Sequence, residues 1–149
     1  MSIMSDSDRA QLLEDAGFLL DKGYVLKKSD EYGFDLIREN MMFSIYYERY
    51  EDRGEISIRF LQENKIFHVS WLAHILDKDT NDSLHRAIER KRENIPFNQG
   101  VTKIKKQSSL DKLKKLLMLV KDNYNNLLDI DFCRTIKEES TALYQQFLD

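Results

Sequence analysis

The most regular alternation of hydrophobic and polar positions in the chain runs from Met41 to Leu61. Phe43, Ile45 and Tyr47 share one face of an extended run, with Met42, Ser44, Tyr46, Glu48 and Tyr50 on the other. After Glu51-Asp52-Arg53-Gly54 the alternation resumes, placing Ile56, Ile58 and Phe60 opposite Ser57 and Arg59. Two half-polar strands joined by a short glycine-containing turn predict an antiparallel hairpin whose buried face is Phe43, Ile45, Ile56, Ile58 and Phe60.

Other elements are read outward from this hairpin. Upstream, Ser5 or Ser7 caps a helix that has Asp6 and Asp8 at its positive end and Ala10, Leu13, Ala16 or Gly17, and Leu20 at helical spacing. Gly17 weakens its middle and leaves room for close packing against a sheet, and Gly23 supplies a left-handed stop. Tyr24–Lys28 is a short strand, Ser29–Gly33 a turn, and the run through Phe34, Leu36 and Arg38 a second strand. Downstream, Glu63-Asn64-Lys65 turns into a fifth strand over Ile66–Trp71, so the strands form a meander of sequence neighbours.

Past Trp71 the period lengthens to that of helices. Ser70 caps a short helix containing Leu72, Ile75 and Leu76, and a second contains Leu84, Ala87 and Ile88. The only proline, Pro96, marks a loop, and Val101–Lys106 alternates weakly. Leu110, Leu113, Leu117, Val120, Tyr124 and Leu127 then draw the strongest helical stripe, widened by Leu116 and Leu128 to suit packing on a sheet. A last helix carries Phe132, Cys133, Ile136, Leu143, Tyr144 and Phe147. The expectation is one α+β domain over residues 1–149: an antiparallel meander of four to five strands, an N-terminal helix, and C-terminal helices packed mainly on one face.

Charge adds a polarity that the strand pattern does not show. Residues 1–84 hold 10 Lys/Arg against 17 Asp/Glu, residues 85–121 hold 11 against 3, and residues 122–149 hold 2 against 6. A net charge of −3 therefore conceals a basic middle, which bears on partners rather than on fold. No continuous apolar run reaches membrane-spanning length and no leader pattern opens the chain, so the cytoplasm is the expected location. Cys133, the single cysteine, fits a reducing compartment and excludes an internal disulfide or a multi-cysteine zinc site.

The usual enzyme signals fail one by one. The glycines at 17, 23, 33, 54 and 100 are scattered and none precedes a Lys-Ser/Thr pair, so no phosphate loop is present. His68, His74 and His85 form no linear metal motif and read first as isolated surface or packing histidines. Should His68, His74 and Cys133 converge in space, a small hydrolase or metal-dependent site follows; Cys133 itself lies among apolar neighbours, where an unpaired cysteine behaves as a small hydrophobe. No cofactor is expected. The basic stretch between Arg86 and Lys115 would suit an anion, nucleic acid or membrane surface, but only Phe97 lies among its charges to stack on bases, so nucleic acid is not the expected partner. Oligomeric state is left open.

What remains is the outward side of the hairpin: Tyr46, Glu48, Tyr50, Glu51, Asp52, Arg53 and Glu55. Tyrosine and arginine combine contact area with hydrogen bonding, and the acids suit a basic partner, so these residues are the expected protein-binding set. The lead-in DAGFLLDKGY and the hairpin IYYERYEDRGEISIRF give residues 10–72 a layout and composition that resembles the small bacterial immunity proteins that neutralise polymorphic or contact-delivered toxins. The resemblance implies a non-enzymatic, stoichiometric binder that blocks a toxin domain, often a basic nuclease, by electrostatically steered docking. The basic middle of this chain sets it apart from the most acidic of those proteins, and no site residue is carried over from them.

Overall fold

A computed structural model of the chain describes residues 3–47, 54–76 and 109–148. In order these form α1 (Asp6–Asp15), α2 (Gly17–Asp21), β1 (Val25–Asp30), β2 (Gly33–Arg38), β3 (Met41–Tyr47), β4 (Gly54–Phe60), β5 (Lys65–His68), α3 (Val69–Leu76), α4 (Ser109–Asp122), α5 (Tyr124–Leu127) and α6 (Ile130–Leu148). The helix expected around Leu84, the loop at Pro96 and the weak alternation at Val101–Lys106 lie outside the described residues. The five strands form one antiparallel sheet in the order β1-β2-β3-β4-β5, the meander the sequence predicts.

The β3–β4 ladder is the longest uninterrupted pairing, running from Met41 opposite Phe60 to Tyr47 opposite Gly54. Strict alternation puts Phe43, Ile45, Ile56, Ile58 and Phe60 into the core with Phe34 and Leu36 of β2, and Leu113, Leu116, Leu117 and Val120 of α4 close over them. Leu113 lies against the backbone of Gly54: a Cβ there would come within 2.5 Å of the leucine Cγ, so the small residue lets α4 approach the sheet. Edge strand β1 is interrupted by an irregularity between Leu26 and Lys28, a common way to discourage edge-to-edge pairing.

Four expectations shift. The N-terminal helix is two, broken at Ala16, and its buried side is Leu12, Ala16 and Leu19 rather than Ala10, Leu13 and Leu20. Gly17 has no atom within 4 Å of where a Cβ would stand, so close packing is not its role; Gly23 does adopt the left-handed stop, at φ 98°. Strand β5 ends at His68, and Val69 already belongs to α3, because its side chain is needed in the core together with Leu72. The long C-terminal stripe is likewise divided, at Asn123, whose Nδ2 donates to the Leu119 carbonyl and diverts the chain into α5.

α1 is tied to the sheet by polar contacts. Ser5 accepts from the Asp8 amide as N-cap, Tyr47 Oη donates to Asp8 Oδ2 at 2.8 Å, and the Arg9 guanidinium bridges the β1–β2 turn through Ser29 Oγ and the carbonyls of Asp30 and Gly33. Among the described residues no helix is long and apolar enough to cross a membrane.

Candidate functional site

Two of the expected partner-binding residues, Tyr46 and Glu55, face each other across the β3–β4 ladder, one pair before the chain leaves it at Tyr47 and Gly54. Glu48, Tyr50, Glu51, Asp52 and Arg53 lie outside the described residues, in the connection that starts from this pair. Both described residues sit in company that the hairpin alone does not supply. Tyr46 is half-buried, and its pKa is pushed up to about 12 by desolvation and by the nearby carboxylates of Asp35 and Asp30. Asp35 is itself buried on the next strand.

Glu55 departs further from the solvent-exposed carboxylate expected of a hairpin tip. It stands on the outer face of β4 beside the point where β5 turns into α3, and it holds that helix start. The Ser70 amide donates to Glu55 Oε2 at 3.3 Å, the Ser70 hydroxyl donates to Oε1, and the Ile56 amide donates to Oε2 at 3.0 Å. A carboxylate at the first turn of a helix faces its unsatisfied N–H groups and the positive end of the dipole. Burial nevertheless raises the Glu55 pKa, outweighing the hydrogen bond from Ser70 and the charges of Lys112 and His68 that pull it down.

The same corner assembles a group that sequence spacing did not join. Ser57, next but one after Glu55 on β4, pairs across the ladder with His68 of β5, and its Oγ lies 2.9 Å from His68 Nδ1. Trp71, in the first turn of α3, packs edge-on against both His68 and Phe67, with ring centroids 4.8 and 5.5 Å away. Alternation on β4 puts Glu55, Ser57 and Arg59 on one side, which is the signal that pointed here. What was missing was the end of β5 at His68, without which Ser70 reads only as a cap residue and its contact with Glu55 is invisible.

The remaining reactive side chains are engaged separately. His74 Nδ1 meets the buried Ser140 Oγ at 2.9 Å, tying α3 to α6. Cys133 is buried, its thiol donates to the Leu127 carbonyl at 3.6 Å, and burial with Asp129 nearby pushes its pKa up to about 12, far from a reactive thiolate. Among the described residues no three of His, Cys, Asp and Glu are grouped as metal ligands; His85 lies outside them. Of the basic stretch, Lys112, Lys114 and Lys115 are described, all partly buried along α4.

Comparison of the chain with protein families, with curated proteins and with solved structures gave no match.

Proposed function

We propose that the chain is a stoichiometric protein-binding module, an inhibitory partner of the immunity type, engaged through the connection between β3 and β4. The observation that carries this reading is the anchored base. An unbroken ladder carries the Tyr46–Glu55 pair one step before its last pair, Tyr47 and Gly54, with Tyr46 set beside the Asp35 carboxylate and Glu55 bonded to Ser70. A segment rich in Tyr, Arg and carboxylates that starts from such a base loses less freedom on binding than one starting from a loose end. In this reading Tyr46 and Glu55 position, while Glu48, Tyr50, Glu51, Asp52 and Arg53 contact.

The test is the combined reversal Glu48→Lys, Glu51→Lys and Asp52→Lys, used beside the wild type to capture partners from the source organism. Binding to the captured protein is then measured at several salt concentrations. The expected result is one-to-one binding whose association slows at least tenfold in the variant and loses its salt dependence. Equal association for the two chains sinks the assignment.

One observation favours a second reading, a hydrolase centred on His68. The Ser57 hydroxyl 2.9 Å from His68 Nδ1 is a nucleophile–base pair at working distance, with Glu55 close enough to act on it electrostatically. Its weakness is that the Glu55 carboxylate is bonded to Ser70 rather than to the imidazole. Hydrolysis of a panel of activated esters, abolished by Ser57→Ala and by His68→Gln while folding is retained, would carry this reading; equal rates in all three chains remove it.

A further inference from the structure

A cavity of about 240 Å³ opens between β5 and α6, toward the end of β4 away from the β3–β4 connection. Its inner surface is apolar: Phe60, Phe67 and Cys133 are all buried, and Trp71 and Ile130 complete the walls. Its described charged lining is three cations, Lys65, Arg134 and Lys137, against one acid, Asp131.

The cations are held loosely. Lys137 Nζ rests 5.2 Å from the centre of the Trp71 ring, and Arg134 meets Asp131 at 3.4 Å with both side chains mostly in solvent. An exposed ion pair of that kind contributes little, so exchanging Asp131 for another anion costs little. Helical spacing explains the arrangement: Ile130, Cys133 and Lys137 succeed one another along one side of α6, so a single face supplies apolar wall and basic rim together.

We propose that this cavity binds a small amphipathic carboxylate, its apolar body against Phe67 and Trp71 and its carboxylate among Arg134, Lys137 and Lys65. The volume is on the order of eight water-sized units, which suits a chain of about eight carbons. An apolar cleft with a few convergent polar groups is the usual form of a small-molecule site. The sign of the rim selects a carboxylate over an amine of the same length.

Trp71 is the only tryptophan in the chain, so its fluorescence reports occupancy directly. The experiment titrates the full chain with octanoate, octan-1-ol and octylammonium. Saturable binding of octanoate, at least tenfold tighter than octan-1-ol and with no measurable binding of octylammonium, is the expected result. The double variant Arg134→Glu with Lys137→Glu changes only exposed side chains; it is expected to keep its thermal transition, lose at least tenfold in octanoate affinity and gain affinity for octylammonium. Equal binding of the three probes, an unchanged octanoate affinity in the double variant, or no saturable response to octanoate up to 10 mM overturns the proposal.

Discussion

Replacing Gly33 with alanine is expected to destabilise the protein by about 3 kcal/mol or more, the upper end of what overpacking that moves backbone costs. Gly33 opens β2 and pairs with Tyr46 of β3. A Cβ at this position would sit on the Ile45 carbonyl oxygen and 2.7 Å from both Cα and Cγ of Tyr46. Two of those three atoms are backbone, so no rotamer change relieves the overlap; the β2–β3 ladder itself has to part where it meets the hairpin base. Against a total stability of about 5 to 15 kcal/mol this is a large fraction, and for a chain of this size it lowers the melting temperature by roughly 10 °C or more. Gly17→Ala is the control, because nothing lies within 4 Å of its Cβ position and the residue is helical. It is expected to be neutral or to stabilise by about 0.5 kcal/mol. Urea unfolding of the two variants checks the pair: equal midpoints would mean that β3 does not approach Gly33 as described.

These two glycines also show what was legible in the sequence. Gly33 reads as a turn residue and Gly17 as a packing residue, yet it is Gly33 that lies tightly against β3 while Gly17 has open space around it, since closeness of one strand to another is a property of pairing that no local pattern encodes. Where alternation is strict the reading holds residue by residue, as for Phe43, Ile45, Ile56 and Ile58. Where apolar residues come in adjacent pairs it slips. Leu12-Leu13 and Leu19-Leu20 each offer the helix two candidates one position apart, and the break at Ala16 selects the earlier member of each pair. The site suffered from the same short range. The alternation places Tyr46 and Glu55 on the correct face of the hairpin, yet the groups beside them, Asp35 and Ser70, come from another strand and from a helix start whose position depends on Val69 being drawn into the core.

Glu55 separates hydrogen bonding from charge, and the two make opposite predictions. Removing its oxygens in Glu55→Ala leaves the Ser70 amide, the Ser70 hydroxyl and the Ile56 amide without their acceptor, a loss of a helix-start contact and of half-buried hydrogen bonds worth about 2 kcal/mol at neutral pH. Glu55→Gln keeps one acceptor oxygen and removes the charge that burial disfavours, so at pH 8 it is expected to match or exceed the wild type by up to about 1 kcal/mol. The pH dependence follows from the direction of the shift. The folded chain holds the Glu55 proton more tightly than the unfolded chain, so the contribution of this group is full below the ordinary carboxylate pKa of 4.5 and is lost as pH rises through the higher folded value. The advantage of Glu55→Gln over wild type therefore shrinks on going from pH 8 to pH 5, whereas the deficit of Glu55→Ala persists. Urea unfolding of the three chains at both pH values decides it: a Glu55→Gln difference that does not change with pH means desolvation does not dominate at this carboxylate, and equal stabilities of Glu55→Ala and Glu55→Gln mean that it does not hold the start of α3. Because Trp71 sits one residue beyond Ser70, loosening that start also blurs the cavity wall, so Glu55→Ala is expected to weaken the octanoate response of Trp71 fluorescence while Glu55→Gln leaves it intact.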